Sequence, residues 1–401
     1  MKSTPHIPFT STTASVSLDL MRGIAALIVC LGHWRNLLYV DYRQIDSHRV
    51  LFAMPYVISS GGHQAVVIFF VLSGYLISSS IFRLTQLGQW SWRLYLTHRL
   101  VRLWIVLIPA LMLGAVLDFA GLHSHLAPAL YAGQTGTALL GNVADSLRAS
   151  IFAGNLLFLQ GILVNTFGSN GPLWSLANEF WYYILFPCAF LVVRRGTRMI
   201  VRIVSAMAFV ACAWLVGKNI LLSFPLWLLG TVLALVPVPR VEVRLRMIVT
   251  IVYCPLFFFL AKTRLVSGLL SDYILGVATF VLMWFLLAAK NAAPANRRVA
   301  ISRLAARFSY TLYLVHLPFL VLITGAIAGE SRWQPNARHL LVGSAELLLA
   351  IGYAFAIASL TEFQTDHVRR WVERRLVRSQ YRAIHREIES DLAAPASKHD
   401  G

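Results

Sequence analysis

Two ionisable side chains in the first apolar stretch of the chain, Arg22 and His33, have the types and the spacing of a chemical site. The stretch, residues 18–40, reads LDLMRGIAALIVCLGHWRNLLYV and is apolar enough to lie in a membrane. At about 100° per residue the two side chains share one helix face, about 16 Å apart along the axis. Ionisable groups inside a membrane helix are costly and usually face a functional path. Alternatively, Arg22 extends to the cytoplasmic interface and His33 caps the far end.

A second polar group begins a later apolar run, in the segment 171–187 (GPLWSLANEFWYYILFP). Trp174 and Asn178 are four residues apart, as are Ser175 and Glu179, so these side chains converge on one side of a helix. The aromatic residues are typical of a membrane–water interface, whereas a carboxylate several residues further in is not. Glu179 therefore either pairs with a histidine or arginine, or binds a hydroxylated acceptor.

Arg99 and Arg102 stand three residues apart at the start of the third apolar run, in HRLVRLW. Guanidinium groups on one helix face can hold phosphate oxygens through forked, charge-assisted hydrogen bonds. The same two residues also suit a cytoplasmic anchor, because inward-facing loops are rich in Lys and Arg. The residues alone leave both interpretations open.

Two further polar positions lie inside apolar runs. His316, in SYTLYLVHLP, is predicted to lie mid-membrane, either as a hydrogen-bonded core residue or as a catalytic one. Ser73 and Gly74, in FFVLSGYLIS, predict close helix packing rather than a nucleophile, because no base or oxyanion motif surrounds the serine. The sequence has no zinc-ligand spacing and no Gly-rich phosphate loop, so we predict no metal and no bound cofactor.

The composition indicates the class of protein that must position these residues. Of 401 residues, 58% are hydrophobic and 13% are charged, with a mean hydropathy of +0.67; soluble proteins carry about 25% charged residues. We therefore predict an all-α, polytopic membrane helical bundle. The net charge of +18 comes from arginines at the ends of apolar runs and in the tail, which fits anionic lipid and argues against nucleic-acid binding.

Ten apolar runs are candidates for helices that cross the bilayer, which takes about 20 residues. They are residues 17–39, 64–82, 100–120, 173–193, 199–217, 220–237, 247–262, 268–289, 308–328 and 339–360. An eleventh run, 147–165, carries Asn155 and Gln160. If it crossed, the arginines at 194–202 and every later basic cluster would lie outside, against the positive-inside rule. We therefore predict about ten transmembrane helices with both termini cytoplasmic.

The sequence divides into three parts. Residues 1–16 form a Ser/Thr-rich cytoplasmic segment without the basic region and cleavage site of a signal peptide. Residues 17–362 form the transmembrane domain. Residues 363–401 form a basic cytoplasmic tail, predicted to be a short amphipathic helix on the inner leaflet that becomes disordered from about Leu392.

Several of these stretches, in this order, resemble the acyltransferase family 3 membrane proteins, which acylate sugars of envelope polysaccharides, lipopolysaccharides and some secondary metabolites. The matching stretches are LDLMRGIAALIVCLGHW, FFVLSGYLI, HRLVRLW, PLWSLANEFWYYILFP, FPLWLLG and FSYTLYLVHLP. Each is weak alone, but together they cover nearly the whole membrane region. The family's motif residues correspond to Arg22 and His33, Arg99 and Arg102, Trp174, Ser175 and Glu179, and Ser309, Tyr310 and His316.

The resemblance implies a transferase domain over residues 17–362 that moves an acyl group from cytoplasmic acyl-CoA to a sugar hydroxyl of a polysaccharide or glycolipid. Acetyl is the family's default, so acetyl-CoA is the expected co-substrate. Arg22, Arg99 and Arg102 would bind the CoA phosphates. His33 would deprotonate the acceptor hydroxyl or carry the acyl group itself, and an imidazole with its ordinary pKa of about 6.5 suits either task.

The remaining site residues have less specific expected roles. Glu179 would orient the imidazole of His33 or hold the sugar, and His316 would belong to the catalytic group. The residues expected to contact the acceptor are Trp174, Ser175 and Asn178. We expect a multi-pass protein of the inner cell membrane, with acyl-CoA, a glycan and lipid as partners.

A proton-coupled transporter or glycolipid translocator is the alternative function. Buried Arg, His and Glu side chains also form the proton relays of transporters. The sequence shows no inverted repeat and no matched pair of Gly/Pro-broken helices, which such transporters commonly have.

Overall fold

The computed structural model describes residues 12–375 except 138, 263–267, 290 and 292–295. These residues form helices and connecting loops without a β-strand, so the all-α prediction is confirmed. The helices are α1 (Thr13–Leu38), α2 (Ala53–Ile58), α3 (Gly62–Gln86), α4 (Trp92–Ser124), α5 (Pro128–Tyr131), α6 (Ala149–Leu156), α7 (Leu173–Val193), α8 (Met199–Leu235), α9 (Val243–Lys262), α10 (Gly268–Leu286), α11 (Arg297–Ala328) and α12 (Ala337–Leu360).

Nine helices in the described part of the chain are long and apolar enough to cross a membrane, one fewer than the predicted count of about ten. The difference lies in α8, where two predicted spans, 199–217 and 220–237, join into one element of 37 residues. Gly217 interrupts it with a φ of 71° and a ψ of 179°. Glycine adopts a positive φ without the steric cost of a Cβ atom, so the helix can break sharply at this residue.

Contacts with α7 show that the chain reverses direction within α8. The contacting pairs, taken along α8, are Arg202 with Arg194, Ile220 with Tyr182, and Trp227 with Phe186. The first half of α8 therefore starts beside the C-terminal end of α7 and rises to the level of its middle, and the second half descends again. Counting α8 as two passes, the nine helices of the described chain make ten passes, as the charge pattern predicts.

α11 is the central helix of the bundle. In the most apolar 18 residues of α11, 67% of the residues are buried inside the protein. In the corresponding stretch of α8, at the periphery, 11% are buried. α1 lies parallel to α11: a Cβ at Gly23 would stand 2.6 Å from the Cβ of Ala305, so the two backbones approach closely here. Small residues at such crossings permit close packing, which replaces the hydrophobic driving force that is absent in lipid.

The first and last described residues lie at the same end of the bundle, which we call the inner end. α4 runs parallel to α11, because the Tyr310 hydroxyl donates to the carbonyl of Leu103 at 3.2 Å and, further along both helices, a Cβ at Gly114 would stand 3.5 Å from Pro318. Near the start of α4, Nε2 of His98 lies 2.5 Å from Oε1 of Glu373. Glu373 belongs to a helical segment, residues 365–375. The described part of the predicted tail helix therefore packs against the inner end. The rest of the tail, including the stretch from Leu392, lies outside the described residues.

The ambiguous run 147–165 does not cross the bundle. It contains only α6, eight residues long, which measures about 12 Å where a crossing needs about 30 Å. Beyond α6 the chain turns back, and buried Asn155 closes the turn by donating to the carbonyl of Asn165 at 2.9 Å. The indole nitrogen of Trp104 donates to the carbonyl of Leu156 at the end of α6, and that of Trp181 donates to the carbonyl of Phe158 in the loop that follows. This loop, residues 157–172, covers the outer end of the bundle.

Candidate functional site

A cavity of about 130 Å³, the inner cavity, lies among α1, α3, α4, α7 and α11. Three arginines from two helices line it: Arg22 of α1, and Arg99 and Arg102 of α4. The structure therefore brings together the three residues that the sequence predicts to bind the donor. Their guanidinium groups form a concentrated positive charge that is suited to phosphate oxygens.

Two tyrosines and a proline hold Arg99 in place. Its guanidinium lies 5.5 Å from the ring centroid of Tyr95 and 5.9 Å from that of Tyr183, within cation–π range. Pro187 lacks an N–H, so the helical partner of the Tyr183 carbonyl is missing. The Tyr95 hydroxyl supplies the replacement at 3.1 Å. The proline in α7 thus creates the attachment that fixes α4 beside it.

Glu179 lines the inner cavity with the arginines, at the centre of a polar network. Its Oε1 accepts from the Ser73 hydroxyl at 3.1 Å and from the Tyr183 hydroxyl. The indole of Trp227 donates to Ser73 Oγ at 3.3 Å. Ser73 is therefore a polar residue in the wall of the inner cavity. The sequence had predicted only a packing role for it. In the described part of the chain, no hydrogen bond joins Glu179 to His33, so Glu179 does not take the expected position beside that imidazole.

A second cavity of about 250 Å³, the outer cavity, lies nearer the 157–172 loop. His33 and Trp174 line it, and Val66 and Tyr313 line both cavities. The two cavities therefore adjoin at Val66 and Tyr313. This arrangement gives the bundle one arginine-rich compartment and one histidine-containing compartment, separated by two side chains.

His33 pairs with His316, which lies 283 positions further along the chain. Nδ1 of His33 lies 2.7 Å from Nε2 of His316, and Nδ1 of His316 lies 2.7 Å from the carbonyl oxygen of Leu312. A carbonyl can only accept, so Nδ1 of His316 carries a hydrogen, and the Nε2 of a neutral His316 ring must accept. His33 then donates through Nδ1, and its Nε2 bears a free lone pair. The pairing selects the tautomer of His33 that can act as a base.

The surrounding contacts hold this pair rigidly. Pro318 frees the carbonyl of Leu314, and the buried side chain of Asn170 donates to it at 2.7 Å, which ties α11 to the outer loop. Tyr313 donates to the carbonyl of Pro172 at 3.1 Å, and its hydroxyl lies 2.7 Å from Ser175 Oγ. A proline in α11 and the start of α7 therefore set the position of His316 and of the side chain between the cavities.

The three residues predicted to contact the acceptor separate in the structure. Trp174 lines the outer cavity, Ser175 lines the inner cavity, and Asn178 lines neither. The Asn178 amide instead donates to Tyr182 at 3.4 Å within α7. The i to i+4 spacing predicts that such side chains share one side of α7. The neighbouring helices pack against that side, so that Trp174 lines the outer cavity and Ser175 the inner one.

Sequence reasoning missed His63, which lines the outer cavity. Its Nε2 lies 2.9 and 3.0 Å from the two carboxylate oxygens of Asp272, and its ring stacks on Trp174 with centroids 6.2 Å apart. The only signal was its place just after Gly61 and Gly62, at the edge of a predicted span. Within the described residues, no group of three or more His, Cys, Asp and Glu side chains could hold a metal ion.

The fold and the two cavities define a multi-pass membrane protein with an arginine-lined inner cavity and, adjoining it, an outer cavity that contains one member of a histidine pair. The chain belongs to the acyltransferase domain family, whose model matches residues 15–362. A curated relative, an "O-acetyl transferase" of Shigella phage Sf6, is 26% identical over 219 residues, which are 52% of this chain and 56% of the relative. The match thus covers little more than half of that relative's length. No solved structure is significantly similar to the chain.

Proposed function

We propose that the protein is an O-acyltransferase of the inner cell membrane that moves an acyl group from acyl-CoA to a hydroxyl of a sugar in a polysaccharide or glycolipid. The observation that carries the proposal is the adjoining pair of cavities, one lined by three arginines and the other containing the His33–His316 pair. The relative named O-acetyl transferase supports acetyl as the acyl group, and we propose acetyl-CoA as its donor.

The donor enters from the inner end. Arg22, Arg99 and Arg102 hold CoA phosphate oxygens, while the pantetheine arm extends between α3 and α7 towards Tyr313. The nucleotide stays at the inner mouth, where its phosphates meet the three arginines. Glu179, held by Ser73 and Tyr183, faces the arginines and keeps them oriented when the donor is absent.

The acceptor hydroxyl enters from the outer cavity. Nε2 of His33 takes its proton, the sugar oxygen forms a bond to the thioester carbon, and the carbon–sulfur bond breaks. The CoA thiolate that leaves then takes up the proton. His316 keeps the Nδ1 proton of His33 in place and shares the positive charge that develops on the imidazole. His33 is the catalytic base, and His316 is its positioning residue.

Expression in a host that lacks the protein tests the proposed function. Surface glycans from cells with the wild type, with His33→Ala or with no copy are treated with mild alkali, and the released acyl groups are measured by mass spectrometry. We expect ester-linked acetate only with the wild type, at equal membrane abundance of both forms. Proton-driven flux through wild-type vesicles, without acyl transfer, would instead favour a transporter.

Arg102→Gln is expected to raise KM for acetyl-CoA by about 10- to 100-fold with a much smaller change in kcat, because a hydrogen bond to a charged group contributes about 1.5–3 kcal/mol. The measurement is initial-rate kinetics of the protein in lipid nanodiscs. Arg93→Ala is the matched control, because Arg93 is exposed on the same helix and lines neither cavity. Equal KM values for acetyl-CoA in the two variants would show that Arg102 does not bind the donor.

A further inference from the structure

Residues from the segments 139–146 and 161–171 line a third cavity of about 460 Å³, which we call the loop groove. Its volume lies within the range of about 300–1,000 Å³ typical of ligand pockets. Amides, hydroxyls and one carboxylate line it: Asn142, Asp145, Ser146, Asn165, Thr166 and Ser169. No Arg, Lys or His of the described chain lines the groove, so its chemistry suits a neutral, hydroxylated ligand better than an anion.

The loop groove is continuous with the outer cavity. Leu139 and Gly171 line both spaces, so the groove begins where the cavity that contains His33 ends. Gly171 lies beside Leu139 and Leu317 at this junction, since a Cβ there would stand at ordinary contact distance, 3.6 Å from the carbonyl oxygen of Leu139 and 3.9 Å from Leu317. Trp174 lies at the edge of the same cavity and offers a partly exposed aromatic ring. A ligand with its reacting end at His33 can therefore extend into the groove.

Two polar side chains of the groove, Asn165 and Thr166, are available for a ligand. Neither the side-chain amide of Asn165 nor the hydroxyl of Thr166 has a hydrogen-bond partner among the described residues, and both side chains are accessible. The carboxylate of Asp145 is paired only at 3.5 Å with Arg148, on the exposed side. Side-chain amides, hydroxyls and carboxylates together can both donate to and accept from sugar hydroxyls.

The backbone behind these side chains is held in place before any ligand binds. Buried Asp118 accepts from the backbone N–H of Ser169 at 2.8 Å and from its hydroxyl at 2.7 Å. Asn155, also buried, accepts from the N–H of Phe167 at 3.2 Å and donates to the carbonyl of Asn165 at 2.9 Å. A groove fixed in this way loses little conformational entropy on binding, which favours recognition of a flexible chain.

We propose that the loop groove is a second sugar subsite, so that the enzyme acts on an oligosaccharide chain of two or more units rather than on a single sugar. The inference rests on the proposed function and adds the length of the acceptor to it. One sugar lies in the outer cavity with its hydroxyl at His33, and the neighbouring sugar lies in the groove against Asn165 and Thr166. The groove residues bind substrate and do not take part in proton transfer.

Size-defined acceptor fragments test the subsite. The polysaccharide that gains acetate in the host cells, stripped by alkali, is partly hydrolysed with acid and separated into mono-, di- and trisaccharides. Each fraction is used with radiolabelled acetyl-CoA and the full-length protein in nanodiscs. We expect kcat/KM of the wild type to rise at least tenfold from mono- to disaccharide. Asn165→Ala combined with Thr166→Val should reduce that rise to below threefold and leave the monosaccharide rate within twofold of the wild type.

Gln134→Ala is the matched control, since Gln134 is an exposed polar residue of the same outer region and lines neither space. Because Asn165 and Thr166 are accessible and their side chains bond no group of the described residues, their loss should leave the fold intact, which thermal unfolding in nanodiscs checks. Equal kcat/KM for all fragment lengths, or an undiminished rise in the double variant, overturns the subsite alone. No transfer to any fragment or to the intact polysaccharide overturns the proposed function and the subsite with it.

Discussion

Replacement of His33 by alanine is expected to lower kcat for acyl transfer by about 100-fold or more, because general acid–base catalysis contributes about 10²–10⁴-fold. The variant should still bind acetyl-CoA, since the arginines of the inner cavity do not contact His33. His63 lines the same cavity and is bonded through Nε2 to Asp272, so the double variant His33→Ala, His63→Ala shows whether any residual activity comes from His63. Steady-state kinetics in nanodiscs give kcat, and acetyl-CoA binding is measured separately.

His316→Ala separates the positioning role from a structural one. It removes the acceptor of the His33 Nδ1–H bond, so kcat should fall, with KM for acetyl-CoA unchanged and the pH–rate profile displaced. His123→Ala is the control, because His123 is an exposed histidine that bonds only within α4. Full activity of His33→Ala would show that another group is the base. An unaltered pH–rate profile for His316→Ala would show that His316 has only a packing role.

Gly74→Leu is expected to prevent correct assembly of the bundle. A Cβ at Gly74 would collide with the backbone carbonyl of Trp227 and stand 3.3 Å from the Cα of Gly230. In the same way, a Cβ at Gly230 would collide with the backbone of α3. Because both obstacles are backbone, no side chain can rotate away. The cost should therefore reach or exceed the upper end of the usual overpacking range of about 1–3 kcal/mol.

Size-exclusion chromatography and thermal unfolding of detergent-purified protein measure the effect. Gly352→Leu is the matched control, since Gly352 is exposed on α12 and a Cβ there would have no neighbour within 4 Å. We expect the control to elute and unfold like the wild type, and Gly74→Leu to aggregate or to lose its sharp transition. Identical behaviour of the two variants would contradict the close crossing of α3 and α8.

The transmembrane architecture could be predicted from the amino-acid sequence, because the bilayer imposes simple constraints on any chain that crosses it. Apolar length predicts each crossing, and arginine position predicts its direction. These two rules led to ten passes, including the two halves of α8, which the structure joins at Gly217. Two of the arginines that line the inner cavity were also visible, because Arg99 and Arg102 share a helix turn and the helical repeat fixes their common face.

What only the tertiary structure decided is which helix faces meet, because lipid tails are as apolar as leucine and hydropathy does not mark the contacting side. His33 and His316 are 283 positions apart, and no local pattern relates them. Glu179 shares a helix side with Ser175, yet packing of α3 and α4 directs it to the arginines instead of the imidazole. The sequence alone determined the spans and the ionisable groups inside them; the packing of α11 against α1 and α7 decided which of those groups face each other.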